Sequence, residues 1–241
     1  HKGVFLPAFF DYNREKERRI MENEIRVRRI GITGGIACGK STVTDMLREM
    51  GFTVLDADAL YHRLIGKEGT LLRSLVDYFG TSILTAEGTL DRKKLGEYIF
   101  ARESERKKLD QLTHPAVYHA LEHLAQETMQ QWIRSDLFEK EEGSDKRRLL
   151  FFDVPLLIES LAEARGLCLD SIWLVTAPEE ERKRRLMMRD GLSRKAAEQR
   201  ISAQMSEEEK RKKASVILNN DADLVKLKKI VEEAVRGELY A

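Results

Sequence analysis

The 241-residue chain has only two cysteines, Cys38 and Cys168, so no disulfide framework can hold it together. A reducing compartment suits such a composition, and a cytoplasmic location is expected. No apolar run approaches the roughly 20 residues that span a bilayer, so no membrane segment is expected. An excess of one charge is also missing. Lys and Arg number 42 against 41 Asp and Glu, a formal net charge of +1. That balance argues against nucleic-acid binding as the main task. Internal repeats and low-complexity tracts are absent. The chain is long enough to bury roughly 70–75% of its unfolded surface, as one large domain or as a core with smaller lobes.

Residues 1–25 stand apart. Val4-Phe5-Leu6-Pro7-Ala8-Phe9-Phe10 is a brief apolar cluster, followed by a dense mixture of charges from Asp11. The segment reads as an N-terminal extension, either a solvated tail or a docking element.

The most informative stretch is Gly34-Gly35-Ile36-Ala37-Cys38-Gly39-Lys40-Ser41, which fits the phosphate-binding pattern G-x-x-x-x-G-K-[ST]. Glycine lets the backbone turn so tightly that successive N–H groups point at one phosphate. Lys40 is placed to reach the β- and γ-phosphates, and the Ser41 hydroxyl to help hold Mg²⁺. Val27 to Thr33 before it reads as a strand. Val43, Met46, Leu47 and Met50 after it have helical spacing, and Gly51 ends that helix.

Further along, Thr53-Val54-Leu55-Asp56-Ala57-Asp58 reads as a strand ending in two carboxylates. Residues 59 to about 132 show helical patterning, punctuated by Gly80, Gly88 and Pro115. The run from Glu139 to Arg148 is a polar linker. Leu149 to Val154 and Ser171 to Thr176 are continuous apolar runs, as in strands buried on both faces. Ala214 to Asn219 reads as the last strand and Asp223 to Arg236 as a closing helix. Strands alternating with helices predict an α/β fold, a parallel central sheet covered on both faces. The P-loop, Asp56 and Asp58, Asp153-Val154-Pro155 and the segment after Val175 then share the edge where such sheets bind ligands.

A P-loop implies a nucleoside triphosphate. No Asn-Lys-x-Asp guanine reader is present. Residues 179–213 are instead rich in Arg182, Arg184, Arg185, Arg189, Arg194 and Arg200, with Gly191 breaking two helical halves. In small-molecule kinases such a segment closes over the phosphates and excludes water. The alternative is a solvated amphipathic helix pair, since Glu179, Glu180, Glu181 and Glu198 are interleaved. Phosphoryl transfer also needs a group that orients the attacking hydroxyl. Asp58 and Asp56 are candidates, and one of them is a candidate N-cap for the next helix. Asp58, at the outer end of the strand, is favoured for the functional role. Asp153 either orients metal-bound water or the acceptor, or caps the Pro155 turn. His114 is either a helix-capping histidine or a ligand contact.

The chain resembles the dephospho-CoA kinase family. The residues that carry the resemblance are Ile32 to Val43, Asp56-Ala57-Asp58, Gly88-Thr89-Leu90-Asp91-Arg92, His114-Pro115, Asp153 to Glu159, and Arg185-Leu186-Met187-Met188-Arg189-Asp190. They occur in family order over about residues 28–236. The resemblance implies a three-layer P-loop core of residues 26–58, 145–178 and 214–241. It adds an inserted helical CoA-binding lobe at 59–144 and a helical lid at 179–213. It implies transfer of the ATP γ-phosphate, with Mg²⁺, to the ribose 3′-hydroxyl of dephospho-CoA, these two small molecules being the partners. Asp58 would be the catalytic carboxylate, aided by Lys40, Arg185 and Arg189. ATP would contact Gly35, Ile36, Ala37, Cys38, Gly39, Lys40, Ser41, Thr42 and Asn219. The acceptor would contact Asp58, Arg92, His114, Asp153, Pro155 and Leu156. The family usually has Gly-Ser where this chain has Ala37-Cys38. Ala37 is therefore expected at negative φ, and Cys38 to carry a thiol whose pKa Lys40 and the helix N-terminus lower. A nucleoside or nucleoside-monophosphate kinase, or a non-enzymatic ATP-gated module, is the competing reading.

Overall fold

The computed structural model describes residues 26–100, 102–138, 147–221 and 223–241. The N-terminal extension and most of the polar linker lie outside the described residues. Strand β1 (Val27–Gly34) leads through the P-loop into α1 (Lys40–Glu49), then β2 (Thr53–Asp56). A helical block follows: α2 (Ala57–Leu64), α3 (Thr70–Phe79), α4 (Arg92–Phe100) and α5 (Glu103–Phe138). Strands β3 (Arg148–Asp153) and β4 (Ser171–Thr176) come next. Helices α6 (Glu179–Asp190), α7 (Arg194–Ser202) and α8 (Glu207–Arg211) then precede β5 (Val216–Asn219) and α9 (Leu224–Tyr240).

The five strands are parallel, in the order β2-β3-β1-β4-β5. Their continuous apolar runs divide by period two. Leu150 and Phe152 face a cluster with Leu60 of α2 and Leu121, Ala125 and Met129 of α5. Leu149 and Phe151 face the opposite cluster, with Val43 and Leu47 of α1 and Leu227, Val231 and Val235 of α9. Two apolar faces, each needing helices, give the three-layer α/β/α arrangement that the alternation predicts. The helical block has a small core of its own, with Leu71, Leu75, Phe79, Ile83 and Leu95.

Helix α5 runs 36 residues, about 54 Å at 1.5 Å per residue. Pro115 lies inside it and leaves one carbonyl without its helical partner. The helix is tied to the sheet by an ion pair between Glu122 and Arg29 of β1, whose guanidinium also lies over the Phe152 ring. Among the described residues, no helix is long and apolar enough to cross a membrane.

Strand boundaries differ from the sequence expectation in one place that matters. β2 stops at Asp56, and Asp58 already belongs to the first turn of α2. The sheet changes direction at β1: the chain goes from β1 to β2 on one side, and β4 and β5 lie on the other. A crevice beyond the carboxyl end of β1 is the outcome of that order.

Candidate active site

The P-loop fills that crevice. Gly39 is the N-cap of α1 at φ 92°, and no side chain caps the helix. The first-turn N–H groups are left for an anion, which the helix dipole also favours. A Cβ on Gly39 would fall 2.1 Å from the Asn220 amide nitrogen, so only glycine fits. Three successive carbonyls of the loop point outward and are each held by a side chain. Arg182 Nε donates to Ile36 O at 2.9 Å, Arg185 Nη1 to Ala37 O at 3.2 Å, and Asn220 Nδ2 to Cys38 O at 2.9 Å. Ala37 sits at φ 60°, in the left-handed region, contrary to the negative φ that its identity suggests. The anchored carbonyls on either side hold the peptide there against the steric preference of alanine.

Cys38 also departs from expectation. It is buried at 2% exposure in the apolar cluster with Val43, Leu47 and Val175. Burial pushes its thiol pKa up, outweighing the Lys40 N–H and the charges of Arg182, Lys40 and Lys210. It packs beneath the phosphate loop and is not the activated thiol that its neighbours suggest.

Lys40 pairs with Asp153, at the end of β3. Asp56, at the end of β2, is the register partner of Asp153. Burial raises the pKa of Asp153; Lys40 opposes the rise, and the nearby Asp56 charge adds to it. The two candidate carboxylates separate cleanly. Asp56 Oδ1 accepts the Ala59 N–H at 2.9 Å and caps α2. Asp58, two residues on and in the first turn of α2, is exposed. The Ser41 side chain is exposed at the start of α1.

Only part of the basic segment reaches the P-loop. Arg185 does, while bonding Glu181 at 3.1 Å through Nε. Arg189 instead lies on Asp190 at 2.7 Å, which also takes Arg200 at 3.0 Å. Arg184 and Arg194 are spent on Glu181 and on Glu180 and Glu198. The interleaved acids thus neutralise the outer face of α6 and α7. Asn219 fastens β4 to β5, accepting from Thr176 Oγ1 at 2.9 Å, and its neighbour Asn220 is the residue that grips the loop. A cleft of about 270 Å³ opens beside it, lined by Thr176, Pro178, Arg211, Asn219 and Asp221 among others.

On the other side of the crevice, the Arg92 guanidinium contacts His62 Nδ1, and its charge acts on Tyr61. His114 stands against the Tyr118 ring, centroids 6.3 Å apart, and Tyr118 bonds to Ser160. The carbonyl of Pro155 accepts Thr33 Oγ1 at 2.9 Å, tying the turn after β3 to the end of β1. Leu156 is 43% exposed next to it.

Sequence reasoning missed four residues of this region as site residues. Arg182 was hidden in a generally basic stretch, and Asn220 stood beside the asparagine that was singled out. Gln204, whose Oε1 accepts the Ile36 N–H at 2.8 Å, carries no local sequence signal. Lys210, buried at 2%, meets Glu159 at 2.6 Å.

The comparisons with known proteins agree with this geometry. The dephospho-CoA kinase family model matches residues 28–226. A dephospho-CoA kinase of Streptococcus agalactiae serotype III is 42% identical over 208 residues, 86% of this chain and 97% of the relative. A crystal structure from Thermus thermophilus has a TM-score of 0.66 at 36% identity, covering 88% of this chain and 97% of that one. The dephospho-CoA kinase of Campylobacter jejuni has a TM-score of 0.53 at 26% identity, covering 89% and 99%. With a P-loop whose backbone is turned inside out for an anion and a match spanning core, helical block and basic segment, the chain belongs to the dephospho-CoA kinase family of ATP-dependent kinases.

Proposed function

We propose that the protein transfers the γ-phosphoryl group of ATP to the ribose 3′-hydroxyl of dephospho-CoA, giving coenzyme A and ADP. The single observation that carries the ATP half is the P-loop itself: three carbonyls anchored outward above an uncapped helix start. The family match carries the acceptor half. In this reading residues 26–58, 145–178 and 214–241 are the nucleotide-binding core. Residues 59–144 hold the acceptor and 179–213 close over the phosphates.

Gly35 to Thr42 line the polyphosphate, and Lys40 moves from Asp153 onto the β- and γ-phosphates when ATP arrives. The cleft beside Asn219 receives the adenine. Asp58, exposed and uncommitted to capping, orients the acceptor hydroxyl and takes its proton late in the transfer. Arg185 spans the gap between lid and loop, so its charge stabilises the transferring group. Arg189 belongs to the same lid and reaches the phosphates once its Asp190 pair opens. Arg92, His114, Pro155 and Leu156 form the acceptor side.

The donor set fits Mg²⁺. Ser41 and the carboxylates at the ends of β2 and β3 are hard oxygen groups, and the described residues hold no group of three or more His, Cys, Asp or Glu that suits a tighter metal site. Ser41 would hold the ion directly and Asp153 through water. When bound, Mg²⁺ neutralises phosphate charge. A cytoplasmic location fits free cysteines and substrates that are soluble nucleotides.

The test is a coupled ADP-release assay with ATP and Mg²⁺, comparing dephospho-CoA with adenosine and AMP. ADP release with dephospho-CoA alone, and a product one phosphate heavier, is expected. Turnover with a nucleoside and none with dephospho-CoA would overturn the acceptor assignment.

A further inference from the structure

The Ile36 peptide unit is gripped from both sides by the segment between β4 and β5. Its N–H donates to Gln204 Oε1 at 2.8 Å, from the turn between α7 and α8. Its carbonyl accepts Arg182 Nε at 2.9 Å, from α6. Arg182 is 7% exposed, and among the described residues it has no carboxylate within ion-pairing distance. A buried guanidinium without a counter-charge is a poor device for stability alone. Its guanidinium also lies against Gly35: a Cβ there would fall 2.5 Å from Nη2 and 2.9 Å from Cζ. Gly35 occupies a free position of the P-loop pattern and has no positive φ to account for it. While Arg182 keeps its bond to Ile36 O, that contact leaves no room for a Cβ at this position.

We infer that Arg182 and Gln204 are positioning residues that act through the Ile36 peptide, setting the outer limb of the phosphate loop and coupling it to the lid. By taking the Ile36 N–H and C=O, they leave anion binding to the N–H groups at the start of α1. They also hold one flank of the left-handed Ala37. Phosphate binding and lid position then share one hydrogen-bonded unit, so that disorder in either is felt by the other. This inference rests on the loop holding ATP, and not on the identity of the acceptor.

The experiment is calorimetric titration of ATP with Mg²⁺, without acceptor, into the parent, Arg182→Met, Arg182→Ala, Gln204→Leu, Gly35→Ala and the Gly35→Ala/Arg182→Ala pair. Each clamp variant is expected to bind ATP about tenfold more weakly, as the loss of one hydrogen bond at a charged or buried group implies. Melting temperature should hold in Arg182→Met, which removes a buried charge. Gly35→Ala should displace the Arg182 guanidinium and weaken ATP binding as Arg182→Met does in the parent, and add nothing to Arg182→Ala, where the clash is gone. In steady-state kinetics KM for ATP should rise and KM for the acceptor stay level. ATP affinity within twofold of the parent in both clamp variants would overturn the inference, as would a Gly35→Ala effect of equal size in both backgrounds. Amide exchange at Ile36 gives a reading independent of nucleotide. Gln204→Leu should deprotect it, and unchanged protection also refutes the clamp. A parent that binds no ATP, with Ile36 deprotected as expected, would sink the proposed function and leave the clamp standing.

Discussion

Replacing Ala37 by glycine should make the protein more stable. Ala37 is held at φ 60°, where an L-residue with a Cβ loses about 1–2 kcal/mol relative to its right-handed preference. Glycine avoids that strain but gives up about 0.5–1 kcal/mol of backbone entropy on folding. The balance is a gain of about 0.5–1 kcal/mol, or about 1–4 °C in melting temperature for a chain of this size. Ala162 supplies the control, because it is exposed and sits at φ −64° and ψ −41°. There the same substitution should lose about 0.5–1 kcal/mol. Thermal unfolding of the two variants, monitored by circular dichroism and calorimetry, should therefore shift in opposite directions. ATP affinity of Ala37→Gly should stay within about twofold, since the three carbonyl anchors preorganise the loop in either case. A lower melting temperature for both variants would refute the argument that Ala37 stores strain.

Lys210→Met removes the partner of a buried carboxylate, and should destabilise by about 3–5 kcal/mol in urea unfolding; adding Glu159→Leu should recover most of it, and a neutral single variant would show the pair to be idle. Asp153 has a raised carboxyl pKa, so in the folded chain its ionised form is the penalised one, and the penalty grows as pH rises through that pKa from the usual 3.8. Asp153→Asn should therefore melt higher than the parent at alkaline pH, lose that advantage toward acid pH, and turn over poorly; a lower melting temperature at alkaline pH contradicts this. Thiol labelling should modify Cys168 in the native protein and reach Cys38 only on unfolding, because one is exposed and the other buried; rapid native labelling of both would show that the loop opens.

The sheet was legible because its signal is local. Two unbroken apolar runs, Leu149 to Val154 and Ser171 to Thr176, can bury both faces only inside a parallel sheet, and β3 and β4 occupy them. Lys40 and Ser41 were legible for the same reason, as a short pattern with its own strand and helix. The pair Asp56 and Asp58 was legible only as a choice. Resolving it needed the residue at which β2 ends, and edges depend on partners. The conformation of Ala37 was not legible at all. Its sign of φ is fixed by Arg182, Arg185 and Asn220, which approach from residues far along the chain. Cys38 misled because the charges that would lower its pKa are near, while the apolar packing that raises it is contributed by α1 and β4. The pairing of Arg189 with Asp190, the next residue, was not legible either, since adjacent charges on a helix need not meet.

The segment proposed to close over the phosphates joins two neighbouring strands. Thr176, where β4 ends, pairs with Asn219 at the end of β5, while Trp173 pairs with Val216 at its start. The chain must therefore return from the top of the sheet to the bottom between these strands, and parallel neighbours require a connection of a dozen or more residues. Helices α6 to α8 are that connection. A minimal version of the enzyme cannot be made by excising them, as an appended flap could be excised. Any shortened or transplanted replacement must still descend the full height of the sheet, or β5 and the Asn220 that follows it would be lost with the segment.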